Sequence, residues 1–280
     1  MNESRRSFVA RAAAWAELIR WKNGGLAAAS VLAASFVATG SSPFRGPILA
    51  GAAVVLAVLS AGNAINDVFD AAIDRKNAPR RPIPSGRIRP AAAVAVSLAL
   101  FAAGNAAAAL ALPARSLPYP VLNSVLLVLY GRYSKRVAAL PNLAVAWMSA
   151  SVFLFAGAII GTRNQNIFVL AAGAFLTTLA REVFKDIEDV PGDSLASART
   201  LPLVLGSGTA ATIARLALGP ALGLLLLPLA AGWTGAPYAV FGVPALAALA
   251  SGFFIPPARA QRSLKLAMLL VLAAFIAGSW

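Results

Sequence analysis

Ten acidic residues occur in 280, and eight of them lie in two short clusters: Asp67, Asp70 and Asp74, then Glu182, Asp186, Glu188, Asp189 and Asp193. In the first cluster Asn66, Asp70 and Asp74 stand at i, i+4 and i+8, which is one stripe of an α-helix, and Asn63 extends it by a turn. Acceptors and like charges stacked on one face repel each other unless a cation sits among them. That face is built for a cation. In the second cluster Glu182, Asp186 and Asp189 share a stripe, and Pro191-Gly192 is expected to end the helix and free Asp193 to turn back. Mere balancing of neighbouring Arg and Lys would not concentrate eight of ten acids at two places.

The chain has no His and no Cys, which excludes thiolate zinc sites, disulfides, histidine-ligated haem and Cys–His nucleophiles. Ligands restricted to carboxylate and amide oxygen select Mg²⁺ or Mn²⁺ over zinc or copper. Mg²⁺ is held by one or two carboxylates together with substrate phosphates, so two such clusters facing each other at one end of a cavity would bridge metal ions to a diphosphate. The loop RKNAPRRPIPSGRIRP beginning at Arg75 places six cations directly after the first acids. Arg81 and Arg87, which flank the rigid Pro82–Gly86 turn, are the two expected to reach phosphate. The others are expected to set orientation.

The elements that must position these residues are helices in a membrane. Hydrophobic residues make up 59% of the chain and charged residues 12%, about half the charged fraction of a soluble domain. Unbroken Ala/Leu/Val runs without polar–apolar alternation exclude a barrel. Nine apolar helices are predicted, over 22–40, 46–70, 90–112, 117–134, 139–161, 165–187, 207–230, 236–255 and 263–280, in a single domain spanning 1–280. With the N-terminus inside, the inner loops and helix ends collect 20 Lys and Arg against 3 outside (Arg45, Arg115 and Arg163), and Arg215 lies within a span. That asymmetry predicts a multi-pass cell-membrane protein with its N-terminus and both acid clusters on the cytoplasmic side. The first apolar segment has no cleavage pattern and is expected to be an anchor rather than a signal peptide. A net charge of +14 would suit nucleic acid, but no basic tail or soluble module presents it, so nucleic acid is not expected as a partner. No obligate protein partner is evident either.

Asn66, Asp67, Asp70 and Asp74 fit NDxxDxxxD, and Asp189-Val190-Pro191-Gly192-Asp193 fits DxxxD, followed by Thr200-Leu201-Pro202. In these motifs the chain resembles the UbiA superfamily of intramembrane prenyltransferases. The resemblance implies an all-α polytopic fold of nine transmembrane helices around a central cavity, and transfer of a prenyl group from a prenyl diphosphate with Mg²⁺, two ions bridging the diphosphate. It further implies Asn66, Asp67, Asp70, Asp74, Asp189 and Asp193 as metal ligands. Asp70, Asp74, Asp186 and Lys135 would carry the reaction, and Arg20, Lys22, Asn23, Arg81, Arg87, Tyr130, Arg136 and Lys185 would contact substrate.

Three segments, Glu17–Asn23, RPIPSGRI and REVFKDIEDVPGD, are most similar to the archaeal branch, which transfers geranylgeranyl to geranylgeranylglyceryl phosphate in ether-lipid synthesis. An aromatic acceptor of the 4-hydroxybenzoate type is the alternative. An ion-coupled transporter is the rival class, because acids at corresponding points of two halves can mark a repeat that binds ions. Asn142, at the start of the fifth apolar segment on the active side, is expected to cap that helix, with a hydrogen bond to the acceptor as the other reading.

Overall fold

The computed structural model describes residues 3–134, 137–195 and 198–279, and all the regular structure among them is helical. The helices are α1 (Glu3–Leu18), α2 (Trp21–Thr39), α3 (Gly46–Asn77), α4 (Pro90–Ala111), α5 (Pro118–Tyr133), α6 (Leu140–Ile160), α7 (Gln165–Leu195), α8 (Leu201–Leu205), α9 (Ser207–Ala230), α10 (Tyr238–Ser251) and α11 (Pro257–Ala277). Each of the nine apolar segments of the sequence has a helix. Six of these (α3, α4, α6, α7, α9 and α11) are long and apolar enough to cross a membrane, and α10 is apolar but shorter, with 14 residues. The protein is a multi-pass membrane protein.

Two expectations about helix ends are corrected. α3 continues past residue 70 to Asn77, and α7 runs through Pro191-Gly192 to Leu195. A single proline in the last turns removes one backbone donor, and Pro191 lies where few downstream residues depend on the ladder. Beyond the end of α7, Ala198 N–H donates to the Asp193 carbonyl at 3.1 Å. The sequence reading also omitted α1, which is too polar to register as a span, and the short α8.

The chain divides into two compact units: Met1–Ala29 with Leu49–Tyr133, and Ser30–Ile48 with Ser134–Trp280. In the first, small residues let helices approach closely, as membrane packing requires. A Cβ on Gly62 would come within 2.6 Å of Leu127, and one on Gly131 within 2.8 Å of Phe69, so α5 lies directly on α3. Ser97 of α4 donates to the Ala61 carbonyl at 2.7 Å. The loop between α3 and α4 is ordered by its own bonds: Ile88 N–H to the Pro82 carbonyl at 3.0 Å, and the Ser85 hydroxyl to the Arg81 carbonyl at 2.7 Å. Gly86 turns it at φ +75°, a conformation side chains disfavour. Ile83 and Ile88 of this loop are buried with Ala14 and Leu18 of α1 and Ala64 of α3, with Trp15 packed alongside. The polar helix α1 and the basic loop therefore form a small core beside the first acid cluster.

The second unit packs α6, α9 and α11 against α7, and α10 against α9 and α11. Tyr238 anchors one end, donating to the Leu225 carbonyl at 2.7 Å and meeting Phe275 edge to face at 5.2 Å.

Candidate functional site

The first acid cluster lies on the last turns of α3. Asp67 and Asp74 are buried, and each holds a cation from another segment. Arg20, in the break between α1 and α2, reaches Asp67 at 2.9 Å, and Arg81 reaches Asp74 at 2.6 Å and Asp67 at 3.8 Å. Burial alone would lower the Arg81 pKa, but the hydrogen bond and charge of Asp74, with Asp67 and Asp70 nearby, raise it above its ordinary value. Arg81 stays charged at any accessible pH. Arg20 takes φ +49°, a left-handed conformation that a non-glycine residue adopts at some cost. The bond to Asp67 and the close turn it allows hold it there: Asn23 N–H donates to the Arg20 carbonyl at 2.9 Å. Asn63 continues the stripe as expected, but it spans to the Ile19 carbonyl at 3.1 Å.

On the same stripe Asn66 donates its Nδ2 to Asp70 Oδ2 at 3.1 Å, which leaves the buried Asn66 Oδ1 with no hydrogen-bond partner among the described residues. A buried orphan acceptor is costly unless something fills its place. Here it sits beside a half-buried carboxylate, so a hard cation is the fitting occupant.

The second cluster repeats this arrangement on α7. Asn142, on the first turn of α6 and 1% exposed, donates Nδ2 to Asp186 Oδ2 at 2.8 Å, and its Oδ1 is again buried without a partner. Asn142 is therefore no helix cap, because the cap position is Ala139 and no side chain caps α6. Its role was invisible in sequence, since Asp186 lies 44 residues away. Nearby, Glu182 pairs with Arg181, Lys185 approaches Asp189 at 3.5 Å, and Glu188 accepts from Gln261 at 3.0 Å. Asp189 is exposed and Asp193 half-buried.

The other expected substrate contacts scatter. Arg87 pairs with Glu17 of α1 at 2.8 Å and donates to the Arg80 carbonyl, bracing the loop. Lys22 and Asn23 are exposed, with the Lys22 ammonium 5.9 Å from the Trp21 ring centre. Tyr130 is half-buried on α5. Lys135 and Arg136 lie outside the described residues. Among the described residues no three acids converge to hold one metal ion. The available sets are one amide oxygen with one carboxylate, and substrate oxygens would complete the coordination, as Mg²⁺ accepts.

Comparison with known proteins gives the same direction. The UbiA prenyltransferase family matches residues 27–278. Digeranylgeranylglyceryl phosphate synthase of Methanopyrus kandleri is 40% identical over 271 residues, covering 94% of this chain and 98% of that protein. A solved structure of digeranylgeranylglyceryl phosphate synthase superposes with a TM-score of 0.82 at 29% identity, covering 96% of this chain and 98% of that one. A UbiA homologue of Archaeoglobus fulgidus, bound to DMAPP and Mg²⁺, shares the fold with a TM-score of 0.73 at 15% identity, covering 94% and 98%.

Proposed function

The chain belongs to the UbiA prenyltransferase family, and from that premise we propose that it transfers a geranylgeranyl group from geranylgeranyl diphosphate to geranylgeranylglyceryl phosphate. The observation that carries the reading is the repeated pairing of an Asn amide with an Asp carboxylate, Asn66 with Asp70 and Asn142 with Asp186, each leaving a buried amide oxygen for a further partner. The acceptor is inferred from the relatives, which are named for the product digeranylgeranylglyceryl phosphate and two of which this chain matches almost end to end.

In the first unit Asn66 and Asp70, and in the second Asp189 and Asp193, are the residues that would hold Mg²⁺, two ions in all. The chemistry such ions supply is neutralisation of the leaving diphosphate. Asp67 and Asp74 act indirectly: clamped by Arg20 and Arg81, they fix the helical turn that presents Asn66 and Asp70. Arg81, half-exposed and always charged, also faces outward far enough to meet a phosphate oxygen. Lys185, with Lys135 and Arg136 of the YGRYSKR segment, would hold the acceptor's phosphate, and Tyr130 would shield the allylic carbon.

In the transfer the allylic C1–O bond of the donor breaks, diphosphate leaves, and the acceptor hydroxyl oxygen bonds to C1. The hydroxyl proton passes to Asp186, which Asn142 holds in one orientation. The site is assigned to the cytoplasmic side, with the N-terminus. The deciding assay gives purified protein radiolabelled geranylgeranyl diphosphate and Mg²⁺, with geranylgeranylglyceryl phosphate or 4-hydroxybenzoate in separate tubes and EDTA controls. Lipid product with the first acceptor, abolished by EDTA, is expected. Product only with 4-hydroxybenzoate would reassign the acceptor, and no diphosphate release with either would end the prenyltransferase reading.

A further inference from the structure

At the other end of the second unit lies a cleft of about 510 Å³ that plays no part in this chemistry. It is formed by four chain segments: residues 37–40 at the end of α2, 164–166 at the start of α7, 232–235 between α9 and α10, and 278–279 after α11. Asn166 and Asp186 stand at opposite ends of α7, and the twenty residues between them span about 30 Å, one bilayer thickness. The cleft therefore opens on the membrane face opposite the acid cluster of this unit.

No charged residue lines it, but two of its polar groups are unpartnered among the described residues. Asn166 is 7% exposed, and its Oδ1 is buried with no hydrogen-bond partner among the described residues. The Thr234 Oγ1 is buried and unpartnered as well. Other polar groups here are satisfied: Asn164 Oδ1 accepts from Asn166 N–H at 2.8 Å, and Asn164 Nδ2 donates to the Ala38 carbonyl at 3.3 Å. α2, α9 and α11 all present their C-terminal ends at this place, and their dipoles give it a weakly negative character, although last-turn carbonyls such as those of Phe36, Leu227 and Ala274 already accept from Gly40, Ala231 and Gly278 N–H. Gly278 is required by the packing, because a Cβ there would fall 2.9 Å from Thr234. Trp233 adds an aromatic ring where a chain leaves the membrane.

We propose that this cleft binds an uncharged, hydroxyl-rich group, the glycerol or sugar head of a membrane lipid in the leaflet opposite the catalytic site. Asn166 Oδ1 can only accept, so the ligand must bring a donor, and the lack of a lining carboxylate argues against a multivalent cation. The volume suits a group of ring size and is far larger than a bare ion needs. A hydroxyl can donate to Asn166 Oδ1 while Thr234 Oγ1 donates or accepts in turn.

The test uses full-length protein in phosphatidylcholine nanodiscs containing one-tenth monoglucosyl diacylglycerol, with retained lipid counted by native mass spectrometry. Free glucose and free glycerol are titrated separately against Trp233 fluorescence. One glucolipid retained per chain is expected. Retention should fall about tenfold in Thr234→Val, which is isosteric, and in Asn166→Leu, with the temperature of unfolding and diphosphate release unchanged. Saturable binding of the free sugar or glycerol, lost in the same variants, would support the chemistry and place its source in solution rather than in the leaflet. Equal retention of glucolipid by wild type and Thr234→Val would overturn the proposal. So would stabilisation by Na⁺ or K⁺, but not by choline, without any hydroxylated ligand.

Discussion

At the scale of single residues, the acids fall into two kinds. Asp67 and Asp74 are buried and already paired with arginines, whereas Asp70 and Asp186 are each oriented by an asparagine that retains an unused oxygen. The family resemblance ranks Asp70 ahead of Asp67, Asp74 and Asp186 as a ligand, but helical spacing alone cannot separate them, because it shows which residues share a face and not which cation folds back onto it. Asp70→Ala should therefore reduce diphosphate release by at least about a hundredfold while the protein still purifies folded. Asn66→Leu, which removes the orphan oxygen, should reduce activity by about ten- to a hundredfold and raise the Mg²⁺ concentration for half-maximal rate, as measured by an Mg²⁺ titration. Wild-type Mg²⁺ dependence in Asn66→Leu would remove that residue from the metal site. Asn142→Leu should chiefly lower kcat with little change in KM for the donor, because it frees Asp186 to rotate and leaves Asn66 and Asp70 untouched.

At the scale of elements, hydropathy located the helices but not their ends, and the reason is physical. α3 has 32 residues and α7 has 31, so each is roughly 46–48 Å long against a hydrocarbon core of about 30 Å. Apolarity marks only the part of each helix within the hydrocarbon core, and the acid clusters straddle its ends: Asp67, Asp70, Glu182 and Asp186 fall inside the predicted spans, and Asp74, Asp189 and Asp193 lie on helical turns beyond them. The same limit hid α1, whose composition is too polar to register as a span yet whose Ala14 and Leu18 close a core with Ile83 and Ile88. The basic loop is thereby a folded element with two unequal braces. Arg81 compensates the buried Asp74, so Arg81→Leu should cost about 2 kcal/mol after allowing for the half-exposed guanidinium, read as a lower unfolding temperature. The Arg87–Glu17 pair is exposed at both ends, and Arg87→Ala should cost under about 1 kcal/mol. If Arg87→Ala instead strongly weakens donor binding without affecting stability, Arg87 meets phosphate as the sequence first suggested.

At the scale of the molecule, the predicted topology places 20 cations on one side and 3 on the other, an asymmetry that predicts the orientation of the chain. The helix α3 makes this testable along a single element, because Ser42 just precedes it and Asn77 ends it, both exposed. The length of α3 requires these two positions to lie on opposite faces of the bilayer. The chain has no cysteine, so a single introduced thiol is the whole labelling signal. In intact cells Ser42→Cys should react with a membrane-impermeant maleimide and Asn77→Cys should not, and in inverted vesicles the pattern should reverse. Reaction of Asn77→Cys in intact cells would invert the orientation and put the acid cluster of α3 outside, where no cytoplasmic prenyl diphosphate could reach it. Reaction of both positions from one side would mean that α3 does not cross at all, and the hydropathy argument for the first unit would have to be rebuilt.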